Sequence, residues 1–232
     1  MKAVILAAGR GERLSMYTNY LPKPLIKLLG KPLIEHVILS LKEAGIREFV
    51  VVTGYLGDAI KGWLSNGEKL DVYVDYAENR DWQIGNGASL YAAHSALLED
   101  DFFLLSMSDH IYSPKIVRRL LDSFDGHNTL CTDRDPAHLN DVTESTKVRL
   151  RDGFVTDIGK SLKTWDAVDT GVFLLRKDIF TSHWPFTQVT DRMRDLVSRS
   201  QLKSCDVTGL PWIEVDTLED LQAARNAVGD IA

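Results

Sequence analysis

Cysteine is scarce in this chain, with only two in 232 residues. Cys131 and Cys205 stand far apart and do not form the Cys-x-x-Cys spacing that is typical of zinc and dithiol sites. Two isolated thiols in a chain of this length indicate a reducing compartment. We therefore expect a cytoplasmic protein in which both cysteines are small residues of the core.

Long apolar runs are also missing from the sequence. No stretch approaches the ~18 apolar residues that a membrane-spanning helix needs. No small-residue cleavage site of the signal-peptide kind follows the first residues. The net charge of −6 has the wrong sign for a broad nucleic-acid surface. The sequence thus predicts no membrane segment and no nucleic-acid partner.

Strand-like and helix-like segments alternate along the chain. The predicted strands are apolar runs at residues 2–7, 48–53, 70–76, 101–107, 167–175 and 212–216. The predicted helices cover residues 32–44, 86–98, 113–121 and 187–199 and a last segment from Thr217. Asp220 is placed as in an acidic variant of the capping box at the start of that last helix. A hairpin is predicted over residues 146–160, with its turn at Asp152-Gly153. This pattern predicts an α/β fold, with a single Rossmann-like domain over residues 1–232 and a mostly parallel, mixed central sheet flanked by helices.

A glycine-rich loop, LAAGRGERL at residues 6–14, follows the first strand. The sequence has no GxxxxGK string followed by Ser or Thr, and Gly9 and Gly11 lack the third glycine of GxGxxG. Glycines still let backbone N–H groups approach an anion, and Arg13 supplies a guanidinium that suits phosphate oxygens. From the loop alone, a phosphate site and a glycine turn with a surface arginine are equally good interpretations.

A lysine between two prolines follows in LPKPL, at residues 21–25. The prolines stiffen the backbone on both sides of Lys23, which can then present a point charge to a phosphate. The combination of LAAGxGxR with a later KP resembles the signature of the sugar-phosphate nucleotidyltransferase family, and the resemblance covers nearly the whole chain. Members of that family join a nucleoside triphosphate to a phosphorylated alcohol and release pyrophosphate. The resemblance therefore implies this reaction and a nucleotide-diphospho-sugar transferase fold.

The resemblance assigns residues 1–112 mainly to nucleotide binding. Arg13 would bind the β- and γ-phosphates, and Lys23 would lie near the α-phosphate. The other residues expected at the base and phosphates are Leu6, Ala7, Ala8, Gly9, Gly11, Gly85, Asn86, Gly87 and Ser108. Asn86 also suits a helix cap, and Ser108 stands where the family commonly has glycine.

Mg²⁺ is the cofactor that the resemblance implies, because triphosphate chemistry uses it to bridge and neutralise oxygens. The two metal-binding aspartates of the family correspond to Asp109 and Asp216. Both lie at the carboxyl ends of predicted strands, where ligands collect in α/β sheets. His110, next to the first aspartate, is expected to be structural.

Residues 113–232 would mainly bind the acceptor. Lys160 in IGKSL would hold the acceptor phosphate and is the third residue expected to act in catalysis. The remaining acceptor-binding residues that the resemblance implies are Lys147, Asp169, Thr170 and Gly171. For Lys147, a solvated position on a strand is an equally good interpretation.

The strings SMSDHIYS, GNG, TKVRLRDG with IGK, and DAVDTGVFLL resemble the CTP:inositol-1-phosphate cytidylyltransferases. This implies transfer of CMP from CTP to inositol-1-phosphate, giving CDP-inositol and pyrophosphate. Phosphocholine cytidylyltransferases and sugar-1-phosphate nucleotidyltransferases share the early motifs and stay open. Phosphocholine would need an aromatic cage, for which the candidates are Trp82, Tyr91, Trp165 and Trp212. The resemblance also implies a membrane transferase that receives the product, and it leaves a homodimer open.

Two interpretations from other classes are weaker. A metal-dependent glycosyltransferase would use a DxD motif, and Asp133-Arg134-Asp135 provides one. That interpretation leaves LAAGxGxR and KP unexplained. A non-catalytic nucleotide sensor on the same fold is the other alternative, but a sensor has no evident need for Arg13, Lys23 and Lys160 together with two aspartates.

Overall fold

The computed structural model of the chain describes residues 1–15 and 21–231. The strands in these ranges are β1 (Ala3–Ala7), β2 (Lys27–Leu28), β3 (Lys31–Pro32), β4 (Glu48–Thr53), β5 (Tyr73–Glu78), β6 (Phe102–Met107), β7 (His110–Tyr112), β8 (Asn128–Asp133), β9 (Lys147–Arg151), β10 (Phe154–Gly159), β11 (Ala167–Arg176), β12 (Leu202–Asp206) and β13 (Trp212–Glu214). The α-helices are α1 (Glu12–Ser15), α2 (Leu33–Glu43), α3 (Gly57–Leu64), α4 (Asn86–Ala92), α5 (Pro114–Asp122), α6 (Val189–Ser198) and α7 (Leu218–Ile231). Short 3₁₀ turns cover Lys23–Leu25, Glu68–Leu70, His94–Leu97 and Lys177–Ile179.

Nine strands form the central sheet, in the order β5-β4-β1-β6-β11-β8-β12-β10-β9. The first four are parallel to one another. Strand β11 runs antiparallel to both β6 and β8, and the hairpin β9–β10 closes the other end. The predicted α/β fold with a mixed sheet is confirmed, and its parallel strands are concentrated in the first half of the chain.

Both faces of the sheet are buried. In β1, Ile5 packs in one apolar cluster with residues of α2, α3, α5 and α7. Its neighbour Val4 packs in a second cluster with residues of α4 and α6. A strand covered on both faces has no polar side, which explains why β1 and β4 are continuous apolar runs in the sequence. The helices thus leave the ends of the strands as the accessible part of the sheet.

The carboxyl ends of β1 and β6 lie side by side. Leu6 and Met107 are partners in the parallel pairing, and the Ser108 N–H donates to the Leu6 carbonyl at 3.2 Å. The glycine loop after β1 and Asp109 after β6 therefore begin at the same edge of the sheet, as expected for functional loops in α/β proteins.

Two local predictions are confirmed by the backbone. Asp152 and Gly153 have φ of 52° and 81°, as the central residues of a type I′ hairpin turn require. At the start of α7, Asp220 Oδ2 accepts from the Thr217 N–H at 2.8 Å and Thr217 Oγ1 accepts from the Asp220 N–H at 3.2 Å. This is the predicted reciprocal capping pair with an acidic third residue.

Strand β12 is absent from the sequence-based prediction, because LKSCD has no sustained apolar pattern. It pairs in parallel with β8, and Cys205 lies opposite Cys131 in the register. Both thiols are free and buried, as expected. Among the residues that the structure describes, no helix combines the length and apolar character needed to cross a bilayer.

Candidate functional site

Lys23 is held between two aspartates at the carboxyl end of the parallel strands. Its Nζ lies 2.5 Å from Asp109 Oδ2 and also donates to Asp216 Oδ1. The second oxygen of Asp216 accepts from Arg13. Lys23 is 86 residues from one aspartate and 193 from the other. Four residues that the resemblance assigned to phosphates and metal thus form one ion-pair cluster.

The glycine loop shapes this cluster by letting Lys23 pass close beneath it. Gly11 has φ of +66°, and a Cβ at that position would lie 2.5 Å from the Lys23 Cβ. Only glycine meets both conditions without strain. Lys23 lies in a 3₁₀ turn with Pro22 before it and Pro24 within it, and the turn is buried. The loop and the turn therefore fix the position of the Lys23 side chain together.

Lys23 and Asp109 stay ionised at neutral pH. Burial alone would lower the pKa of Lys23. The negative charges of Asp109 and Asp216, and the hydrogen bonds that Lys23 donates to them, outweigh burial and raise this pKa above its usual range. Burial likewise favours a higher pKa for Asp109. The charge of Lys23 and the hydrogen bond from His110 outweigh it and hold that pKa well below the usual range. Two cations therefore balance two carboxylates.

The two carboxylates suit a divalent cation. Both accept from the same ammonium, so their oxygens converge on one point of positive charge. Mg²⁺ is commonly bound by one or two carboxylates together with substrate phosphates and water. No group of three His, Cys, Asp or Glu side chains placed to hold a metal occurs within residues 1–15 and 21–231. The residues present therefore fit a cation that binds together with a triphosphate.

His110 holds the first aspartate in place. Its Nδ1 lies 2.9 Å from Asp109 Oδ1, and its ring lies parallel to that of Trp212, with centroids 6.2 Å apart. Burial opposes protonation, but Glu214 and Asp109 outweigh it and raise the pKa of His110 to about 9. The structural role expected for this histidine is thus to orient a carboxylate of the cluster.

Gly171 makes room for this ring, and its replacement by alanine is expected to be costly. It has φ of +75°, and a Cβ would lie 2.6 Å from His110 Cδ2. We expect Gly171→Ala to lower the free energy of unfolding by about 3 kcal/mol, from left-handed strain plus overpacking. Gly153→Ala is the matched control, because that glycine has φ of +81° and open space around it. Denaturant unfolding measures both, and an equal loss would contradict the contact with His110.

A cavity of about 210 Å³ lies next to His110. Four residues expected from the sequence line it: Asn86, Lys160, Asp169 and Gly171. The sequence analysis missed further polar lining residues, among them Glu144, Gln188 and Glu214. Glu214 stands two residues before Asp216 on the predicted strand 212–216, and side chains two residues apart on a strand share a face. This spacing is the signal that could have found it.

The two lysines assigned to the acceptor differ in the structure. Lys160 is more than half exposed, and its Nζ lies 3.7 Å from Glu144 Oε2. Lys147 is buried, so its interpretation as a solvated residue is wrong. Its ammonium donates to the carbonyls of Thr143, Ser145 and Lys160 at 2.7, 3.2 and 3.1 Å. All three donors are thus engaged, and direct binding of the acceptor by Lys147 stays a prediction.

The TG pair contributes to packing as well as to the cavity. Thr170 is fully buried, and its Oγ1 donates to the Cys131 carbonyl at 3.1 Å. Asp169 Oδ1 accepts from the Gly171 N–H at 2.7 Å. Burial raises the pKa of Asp169 to about 6. Only Asp169 and Gly171 of this segment therefore face the cavity.

The GNG element packs against the start of α6. Asn86 Oδ1 accepts from the Val189 N–H at 2.8 Å, so it caps α6 and not its own helix. The Gly87 N–H donates to the Thr187 carbonyl at 2.8 Å, and a Cβ on Gly87 would lie 2.5 Å from the Phe186 carbonyl oxygen. The glycines are required by this close approach, and base recognition by the element stays a prediction.

The first aspartate of the DxD motif is part of the core, whereas Asp135 is exposed. Asp133 is buried, and its two oxygens accept from the Trp212 indole at 2.8 Å and from the Asp135 N–H at 2.9 Å. These bonds leave neither oxygen directed at a nucleotide. The first carboxylate of the motif is therefore engaged in packing, which gives no support to a metal-binding role for it in a glycosyltransferase.

The aromatic candidates do not form a cage. Tyr91 stacks on Trp184 at 5.2 Å and Trp82 lies edge-on to Tyr55 at 5.4 Å. Trp165 packs against the core. Within the described ranges, the residues that line the 210 Å³ cavity include no Trp, Tyr or Phe. The cavity is polar, and it lacks the surface that a quaternary ammonium prefers.

Curated relatives match nearly the whole length of this chain. The protein of Rubrobacter xylanophilus named "Bifunctional IPC transferase and DIPP synthase" is 36% identical over 97% of this chain and 51% of its own length. The Archaeoglobus fulgidus protein of the same name is 34% identical over 98% of this chain and 44% of its own. The chain thus spans about half the length of these curated relatives.

Solved structures and a family profile define the fold and the family. The inositol-1-phosphate CTP transferase from T. maritima matches with a TM-score of 0.83 at 24% identity, covering 100% of this chain and 97% of that one. A UDP-glucose pyrophosphorylase complexed with UDP-glucose matches at 0.82 and 19%, covering 98% of both. The MobA-like NTP transferase domain profile matches residues 3–153, from β1 into the β9–β10 hairpin. The chain therefore belongs to the MobA-like NTP transferase family and is a nucleotidyltransferase.

Proposed function

We propose that this chain transfers CMP from CTP to inositol-1-phosphate and forms CDP-inositol and pyrophosphate. The observation that carries the proposal is the ion-pair cluster of Arg13, Lys23, Asp109 and Asp216 beside a polar cavity that contains Lys160. The name IPC transferase of the curated relatives supports this choice of acceptor, as do the motifs shared with the CTP:inositol-1-phosphate cytidylyltransferases.

The reaction needs no protein nucleophile. An oxygen of the acceptor phosphate attacks the α-phosphorus in line, the bond from the α-phosphorus to the β-phosphate oxygen breaks, and pyrophosphate leaves with the electron pair. Arg13 and Lys23 bind the triphosphate and balance the charge on the leaving oxygens. Lys160 binds the acceptor phosphate. The main contribution of these groups is to hold two mutually repelling anions in line.

Asp109 and Asp216 would hold Mg²⁺, which supplies charge neutralisation at the phosphate oxygens. The backbone at residues 6–11 and the GNG element cradle the nucleotide. Lys147 acts indirectly, because its hydrogen bonds fix the backbone at Lys160. Residues 1–112 therefore serve mainly the nucleotide and residues 113–232 mainly the acceptor, within one functional domain.

We propose that the reaction takes place in the cytoplasm and that its product, CDP-inositol, passes to a membrane transferase. Whether the chain acts as a homodimer is decided by sedimentation. A sugar-1-phosphate is the second candidate acceptor, because its hydroxyl groups present the same hydrogen-bonding chemistry as inositol. Phosphocholine is disfavoured by the lining of the cavity, which has carboxylates where a cage would have rings.

The function is tested by pyrophosphate release in the presence of Mg²⁺. CTP, UTP, GTP and ATP are each combined with inositol-1-phosphate, phosphocholine and several hexose-1-phosphates. We expect release with CTP and inositol-1-phosphate, and none when the acceptor is omitted or the metal chelated. Pyrophosphate release with a different triphosphate and acceptor would support the same mechanism with different substrates. No pyrophosphate release with any pair would contradict the proposal and favour a nucleotide sensor.

A further inference from the structure

Glu214 is a half-buried carboxylate in the wall of the acceptor cavity. It lies directly opposite His110 in the β7–β13 pairing. The nearest cation is His110 Nε2, 4.0 Å from Glu214 Oε2, which is beyond hydrogen-bond distance. Among the described residues, no donor is hydrogen-bonded to this carboxylate. The Glu214 side chain is 31% exposed, so its carboxylate is accessible to a ligand that enters the cavity.

Asp169 presents a second acceptor to the same cavity. Its Oδ1 is engaged by the Gly171 N–H, and its Oδ2 has no hydrogen-bond donor in the described part of the chain. Lys160 already brings positive charge to this cavity. The cavity thus contains a cation, but the free oxygens of the two carboxylates have no hydrogen-bond donor from the described residues. Neutral hydroxyl groups supply donors without adding charge, whereas a trimethylammonium group supplies none.

We propose that Glu214 determines acceptor specificity by accepting a hydrogen bond from a hydroxyl group of a polyol phosphate, with Asp169 accepting one from a second hydroxyl. This inference rests on the proposed function and refines it. Asp216, two residues after Glu214, belongs to the ion-pair cluster. One short segment thus contributes both to the cluster and to recognition of the acceptor. A site that hydrogen-bonds a hydroxyl rejects analogues that lack it, because its polar groups are then left unpaired.

The test compares Glu214→Ala and the isosteric Glu214→Gln with Glu99→Ala, a glutamate on an exposed turn outside the cavity. We expect the KM for inositol-1-phosphate to rise about 10- to 100-fold in Glu214→Ala, and less in Glu214→Gln. The KM for CTP should not change. Propyl phosphate, which has no hydroxyl, should be a poor acceptor that wild type and variant use equally.

Monodeoxy-inositol phosphates identify the hydroxyl. For one ring position, the KM of the wild type for the deoxy acceptor should rise as much as the KM of Glu214→Ala rises for inositol-1-phosphate. Glu214→Ala should have the same KM for both acceptors. If Glu214→Ala discriminates among the deoxy series as the wild type does, the inference is overturned.

Calorimetric titration separates this inference from the proposed function. Inositol-1-phosphate is titrated into the wild type and each variant without nucleotide. If the wild type releases no pyrophosphate but binds inositol-1-phosphate more tightly than Glu214→Ala does, the proposed reaction is refuted and recognition by Glu214 is supported. Equal affinities, or no binding by the wild type, would refute the inference whatever the turnover.

Discussion

Replacement of Lys23 by methionine is expected to lower kcat/KM by about 1,000-fold. Methionine keeps the length of the apolar stem that packs under Gly11 but removes the ammonium. Without it, one of the two cations that balance Asp109 and Asp216 is lost, and the triphosphate loses a preorganised partner. Steady-state pyrophosphate release measures the effect. Lys27→Met is the matched control, since Lys27 is exposed and its ammonium lies over the Trp63 ring, away from the cluster.

The same variant should also be less stable. Removing one partner of a buried ion pair leaves an uncompensated charge, which costs about 3 kcal/mol of unfolding free energy. We expect the pKa of Asp109 to rise, because the charge of Lys23 is a main reason for its low value. Added Mg²⁺ should recover part of the stability by taking the place of the ammonium. A stable Lys23→Met variant that turns over near the wild-type rate would refute the role of the cluster.

Conversion of Asp216 to asparagine is expected to remove Mg²⁺-dependent turnover, again by about 1,000-fold. The amide keeps the shape of the side chain but lacks the charge that binds a divalent cation and Arg13. Asp109→Asn should have a similar effect, although its amide oxygen can still accept from His110. Turnover is measured over a range of Mg²⁺ concentrations, and circular dichroism checks the fold.

Asp58→Asn is the control for both aspartate variants. Asp58 is fully exposed at the start of α3, and its only neighbouring cation among the described residues is Lys61 at 3.8 Å. The Asp58→Asn variant should have the same rate and the same Mg²⁺ dependence as the wild type. Near-normal Mg²⁺-dependent rates in Asp109→Asn and Asp216→Asn would show that these carboxylates do not hold the metal.

Local interactions explain which parts of the fold were predictable. Strand β4 coincides with the predicted residues 48–53, because a strand buried on both faces is an uninterrupted apolar run. The Asp152-Gly153 turn and the Thr217/Asp220 capping pair depend on atoms within four residues of one another. Strand β12 escaped prediction because its interior position in the sheet, between β8 and β10, is set by its partners and not by its own composition.

The candidate site was predictable in its residue types but not in its contacts. Lys147 is a lysine near the acceptor cavity, as expected, yet its ammonium is buried under three carbonyls. Asn86 is a cap, as one interpretation had it, but of a helix about a hundred residues later in the chain. Glu214 belongs to none of the motifs found in the sequence. Asn86 and Glu214 face residues about a hundred positions away in the chain, so no local pattern identifies those contacts. The carbonyls around Lys147 lie within 13 residues of it, but their convergence on one ammonium depends on how the β9–β10 hairpin folds.

By itself, the sequence determined the strands of the parallel half, the glycine loop after the first strand, the lysine between prolines and the two aspartates that follow strands. Only the tertiary structure decided that Lys23 lies between Asp109 and Asp216 and that Glu214 faces the acceptor cavity opposite His110. The physical reason is that local periodicity reports which face of an element is buried. The order in which strands pair, and therefore which loops meet, depends on packing across the whole sheet.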